Sequence, residues 1–149
     1  MSTTYSFECT GDWTSDRQGW VDGAAGAPRL HFSAPPEFAG QPATWTPEHF
    51  FLAAVVSCFI TTFRAIAEFS KFDAAALEVT AEGIVEKEEG GFRFTRVVVR
   101  PLLAVHGDAD RERGLRLLEK AERACLVSRS LRSEVLLEPA VNVVAVTAG

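Results

Sequence analysis

Three cysteines, Cys9, Cys58 and Cys125, hold the most distinctive chemistry in this 149-residue chain. An odd count argues against a framework of structural disulfides and leaves nucleophilic or redox use open. Cys58 lies in TPEHFFLAAVVSCF, ten residues after Glu48. On one helix that spacing is about 80° round and nearly three turns along, so the two side chains border one region without touching. Burial raises a thiol pKa, and the helix dipole fades within a turn of the N-terminus. A reactive Cys58 therefore requires a cation from another segment, since Arg64 points to the far side of the same helix. The plain alternative is a small buried hydrophobe. Cys125 follows Ala124 where a second helix should end, a junction at which a thiol can approach a partner or simply sit inert. Cys9 reads as structural. Arg17 in TSDRQGW and Glu48 both have ordinary readings, as a solvated turn arginine and as a first-turn carboxylate that suits the dipole.

Other chemistries find less support. No Cys-x-x-Cys pair exists and His31, His49 and His106 are scattered, so neither a metal site nor a cofactor is expected. A thiol hydrolase or acyl-transfer enzyme would want a histidine base, and His49 lies about half a turn off the face of Cys58. Fifteen basic against twenty acidic residues, a net charge of −5, with no dense Lys/Arg run, exclude the electrostatic footprint of a nucleic-acid binder. The N-terminal stretch has neither a basic leader nor an apolar core before a small-residue cleavage site, so a cytoplasmic location is expected. The longest uninterrupted apolar run, around 50–56, is well short of the ~18 residues of a membrane span. Arg64 and Glu68 follow it on the same helix.

The elements that must position these residues are readable. Short strand-like pieces at 5–9, 19–22 and 29–33 are separated by turn formers, and Pro35, Pro36 and Pro42 mark an extended loop. Thr46 is placed to cap a helix that opens with Pro47 and runs to about Phe69. The first half of that helix is apolar on nearly every face, the mark of a helix surrounded by protein. Segments 77–85 and 92–105 flank EKEEGG and predict a long hairpin. Residues 108–124 carry a helical apolar stripe, LVSRSLR a short helical turn, and 135–146 a last strand. The length fits a single domain, 1–149, of α+β class, with antiparallel sheets packed around the long buried helix. One sheet of such a chain cannot cover that helix on all sides, so a homodimer is expected.

The run TPEHFFLAAVVSCFITTF, followed after the hairpin and second helix by AERACLVSRSL, resembles the OsmC/Ohr family of osmotically inducible and organic hydroperoxide resistance proteins. The pattern pairs a Pro-Glu opening of a buried helix with a Cys ten residues after the Glu and a second Cys at a later helix end, with a Ser nearby, here Ser128. The resemblance implies an intertwined dimer and a thiol peroxidase acting on organic hydroperoxides. It maps the reactive Cys onto Cys58, the resolving Cys onto Cys125, the helix-opening Glu onto Glu48 and a catalytic Arg onto Arg17. At that last site Asp16 replaces the usual Gly, and Arg29 competes for the role. On this reading Arg17 turns Cys58 into a thiolate and Glu48 holds the guanidinium bidentately. Trp45, Phe50, Phe51, Phe59 and Phe63 would wall an alkyl pocket, or else be core. The family also implies an external dithiol reductant, often a lipoylated protein. The alternative is a non-catalytic, stress-associated or binding protein of the same fold.

Overall fold

The computed structural model describes residues 3–144, which form two compact units divided between Phe51 and Leu52. In the first, strands β1 (Thr10–Ser15), β2 (Gln18–Asp22) and β3 (Leu30–Ser33) make an antiparallel sheet in that order. The segment 5–9, expected as a strand, is irregular, and pairing begins at Thr10. Asp16 and Arg17 form the turn between β1 and β2, with Asp16 in the left-handed region at φ 47°. Glycine reaches that region freely and aspartate tolerates it better than most residues, so the Gly-to-Asp departure leaves the turn intact.

The loop after β3 is tied down from both ends. Ser33 N–H donates to Trp45 O at 2.9 Å, Gln41 N–H to the buried Ser33 Oγ at 2.8 Å, and Ala34 N–H to Arg17 O at 3.0 Å. Thr46 is 2% exposed and caps helix α1 (Pro47–Phe69), its Oγ1 accepting from His49 N–H at 3.0 Å.

In the second unit, β4 (Ala74–Glu88) and β5 (Gly91–Val105) form the long antiparallel hairpin, turning at Glu89 and Gly90. Helix α2 (Arg111–Ala124), the short α3 (Leu126–Arg129), and strands β6 (Glu134–Leu137) and β7 (Ala140–Val143) follow. The α+β class holds, but this sheet is mixed: β6 and β7 both run parallel to β5. Their registers are continuous, Arg96 opposite Glu134 and Leu102 opposite Ala140, which sets Pro139 opposite Pro101. Neither proline has an N–H for the ladder, so one strand line is broken into two. The last residues of the strand expected at 135–146 lie outside the described residues.

Val55, Phe59, Phe63 and Ala67 recur every fourth residue of α1 and are its buried positions. With Val97, Val99, Leu103 and Val105 of β5 and Leu118 and Ala121 of α2 they make the core of this unit. Gly114 lets α2 approach β5 closely, since a Cβ there would stand 2.9 Å from Leu103 Cδ2. Phe59 and Phe63, expected as pocket wall or core, are core. The helix expected to be surrounded by protein is thus covered by its own chain along one stripe. By length and composition α1 would suffice to cross a membrane, and 22% of its most apolar stretch is buried in this chain.

Candidate active site

Cys58 and Cys125 are brought together within one chain. Helix α2 stops at Ala124 because Cys125 leaves the helical region, at φ −62° and ψ 115°, and α3 restarts at Leu126. The first N–H groups of a helix have no intrahelical acceptor. Those of Leu126 and Val127 act on the Cys58 sulfur, together with the Cys125 thiol and the Thr62 hydroxyl. Thr62 sits one turn beyond Cys58 on α1, its Oγ1 3.8 Å from Cys58 Sγ. Neither cysteine is in a disulfide; Cys58 is half-buried and Cys125 fully buried.

The two thiols are driven apart in acidity. Burial pushes Cys58 up, but the Val127 N–H, the Cys125 thiol, the Thr62 hydroxyl and the Leu126 N–H outweigh it and bring it below the ordinary thiol value. Burial pushes Cys125 up, the Ser128 N–H and hydroxyl oppose this, and the neighbouring Cys58 adds to it, leaving Cys125 above the ordinary value. Hydrogen bonding to the charged form favours that form, and a like charge nearby disfavours a second ionisation. Cys58 is therefore the more acidic of the two, and the groups found to lower it among the described residues are uncharged. Backbone amides and two neutral side-chain donors thus lower this mid-helix thiol, a contribution the sequence expectation of a cation did not include.

Arg17 and Glu48 lie in the first unit. Arg17 is exposed, and its Nη1 donates to Phe38 O at 2.7 Å. No ion pair joins it to Glu48 among the described residues, contrary to the expected bidentate contact. Glu48 Oε2 is instead buried with no hydrogen-bond partner among the described residues. The competitor Arg29 is occupied: it pairs with Asp22 at 3.1 Å and Asp12 at 3.7 Å and lies over the Trp20 ring. Arg64 pairs with Glu68. Trp45 stacks on Phe50 and lines an open cleft of about 500 Å³ with Pro35, Pro36, Glu37, Thr44 and His49. No cluster of His, Cys, Asp or Glu able to hold a metal occurs among the described residues.

The sequence reading missed Thr62, Leu126 and Val127. Thr62 could have been found from its i, i+4 spacing to Cys58, which puts two helix side chains on one face. The two amides leave no trace in residue type; their signal was the helix restart directly after Cys125.

The site thus places two free cysteines at a helix junction in an α+β fold with a long apolar helix. A family model described as OsmC-like protein matches residues 40–139, and the chain belongs to that family. It is 27% identical over 137 residues to the uncharacterized protein YmaD of Bacillus subtilis, covering 90% of this chain and 91% of that one. It is 29% identical over 102 residues to the peroxiredoxin OsmC of Escherichia coli, covering 68% of this chain and 69% of that one. An OsmC-like protein of unknown function from Vibrio cholerae has the same fold, with a TM-score of 0.82 at 22% identity, covering 91% of this chain and 99% of that chain.

Proposed function

We propose that this protein is a thiol peroxidase that reduces organic hydroperoxides to alcohols. The observation that carries this reading is two free thiols brought together at the α2–α3 junction, in a setting that lowers Cys58 and raises Cys125. The Cys58 thiolate attacks the terminal oxygen of the hydroperoxide; the O–O bond breaks, and the alkoxide leaves and takes a proton to become the alcohol. Cys58 is left as a sulfenic acid. The Cys125 thiol condenses with it, forming the Cys58–Cys125 disulfide and releasing water. An external dithiol, on family grounds a lipoylated protein, exchanges with that disulfide and restores both thiols. The resemblance of the chain to the E. coli peroxiredoxin OsmC supports the assignment.

Arg17 and Glu48 remain the proposed electrostatic pair. A buried carboxylate oxygen without a partner calls for a donor, and Glu48 Oε2 is such an atom. Arg17 is the candidate, because its guanidinium donates to the Phe38 main-chain carbonyl whereas Arg29 is held by two aspartates. Its part would be to stabilise charge on the leaving alkoxide. The uncovered apolar faces of α1 support a homodimer, a second copy covering what one chain leaves in water. The family match spans the division at Phe51, which supports one OsmC-like domain. A cytoplasmic setting, where thiols are kept reduced, completes the reading.

The test is to mix reduced protein with cumene hydroperoxide and count thiols by peptide mass. Cys58 and Cys125 should disappear together into one disulfide. Loss of neither ahead of Cys9 would sink the peroxidase reading in favour of a non-catalytic protein of this fold.

A further inference from the structure

Three hydroxyls on α1 lie within a turn or so of the reactive sulfur, and they are used differently. Ser57 Oγ donates to Ala53 O at 2.7 Å, and Thr61 Oγ1 to Ser57 O at 3.0 Å, with Cys58 O at 3.1 Å as a second acceptor. Both follow the habit of helical Ser and Thr, which return the hydroxyl to a carbonyl one turn back. Thr62 does not. The partner of its Oγ1 is Cys58 Sγ at 3.8 Å, and no hydrogen bond to a carbonyl stands beside it among the described residues. Thiolate sulfur is large and diffuse, so a hydrogen bond to it is longer than one to oxygen, and a half-buried anion gains more from each donor than a solvated one.

We propose that Thr62 is a positioning residue of the thiol site: its hydroxyl donates to Cys58 Sγ from the helix side while the Leu126 and Val127 amides approach from the α2–α3 junction, and together they hold the sulfur facing Cys125. The inference rests on the peroxidase reading for its catalytic meaning, but the contact itself does not. Cys125 is the titratable group that acts on this sulfur. A hydroxyl at this place has a further consequence. The donor is neutral and remains in place when the sulfur passes from thiolate to sulfenic acid, so it can serve both states without a charge having to move.

The experiment uses the full chain in a Cys9→Ser background and follows alkylation of Cys58 by iodoacetamide against pH, read by peptide mass. Thr62→Val keeps the branched shape and removes the donor; Thr62→Ser restores it. The expected result is an alkylation profile displaced to higher pH in Thr62→Val, with the rate near pH 7 down about three- to tenfold, and a return toward wild type in Thr62→Ser. Thr62→Ala should behave as Thr62→Val, and carries the test if the valine variant does not fold. Unchanged profiles in both donor-less variants, or a serine variant as impaired as valine, overturn the proposal. Should wild type ignore cumene hydroperoxide while Thr62→Val still displaces the profile, the peroxidase reading fails and the Thr62 contact stands.

Discussion

The Cys125 thiol lies against the Cys58 sulfur and helps lower its pKa, while the same neighbour raises the pKa of Cys125. That contact adds to the burial and amide effects that set the two chemically identical side chains apart in acidity. We expect iodoacetamide near pH 7 to modify Cys58 well ahead of Cys125, by about tenfold or more, given thiolate fraction and burial together. Peptide mass mapping over time checks it, and faster labelling of Cys125 would reverse the assigned roles. Stability follows the same shifts. The lowered Cys58 contributes stability that is present above the ordinary thiol range and is lost as pH falls through its folded value. The raised Cys125 contributes in the opposite sense, present below that range and lost as pH rises through its own folded value.

Replacing Arg17 separates two ideas that the sequence alone runs together. If the amides of Leu126 and Val127, with Thr62 and Cys125, set the acidity of Cys58, Arg17→Ala leaves the alkylation profile of Cys58 in place. If Arg17 acts on the leaving alkoxide, kcat/KM for an organic hydroperoxide still falls, by about a hundredfold on the scale of a lost charge-stabilising donor. A profile displaced strongly upward in Arg17→Ala would return the thiolate to the guanidinium.

Ser128 tests the second half of the cycle. Its N–H and hydroxyl are the groups that oppose the rise of Cys125, so Ser128→Ala should raise Cys125 further and slow its condensation with the Cys58 sulfenic acid by about three- to tenfold. Oxidation of Cys58 should proceed at its former rate. Stopped-flow consumption of hydroperoxide, set beside the rate of disulfide formation, distinguishes the steps. Equal slowing of both would assign Ser128 a role in holding the junction rather than in the acidity of Cys125.

Cys125→Ser should retain one turnover and stop there, with a sulfenic acid at Cys58 that dimedone traps. Dithiol-driven multiple turnover should fall at least about tenfold, because the disulfide through which the reductant acts no longer forms. Undiminished turnover would show that Cys125 does not resolve.

What the sequence disclosed followed how local its causes were. The start of α1 was legible because Thr46 and Pro47 act on their own neighbours, and the β4–β5 hairpin because its turn residues lie in one short run. Strand β1 was hidden: TGDWTS carries turn formers, and its pairing with Gln18–Asp22 makes it a strand, while the more apolar 5–9 is unpaired among the described residues. The parallel direction of β6 and β7 depends on β5, some forty residues away, and nothing in either segment encodes it. In the site, the two cysteines stood out by type and spacing. The donors that lower Cys58 include main-chain N–H groups, which every residue but proline carries, so no pattern of side chains could mark them.

The remaining expectation concerns what covers α1. Its buried positions in one chain are Val55, Phe59, Phe63 and Ala67, while Phe69 is 89% exposed, and Val56 and Ile60 are only half-buried. A helix of this composition left in water on its other faces would aggregate or recruit a partner, and each square ångström of apolar surface removed from water contributes about 25 cal/mol. The membrane alternative is disfavoured because Ser57, Thr61, Arg64 and Glu68 interrupt the apolar surface, and the last two are exposed and paired with each other. Sedimentation equilibrium at micromolar protein should therefore return the mass of two chains without detergent. Reversible dissociation on dilution should expose new apolar surface to a solvatochromic dye. A stable monomer that binds no such dye would mean that the uncovered faces of α1 need no second copy, and the interface would have to be abandoned.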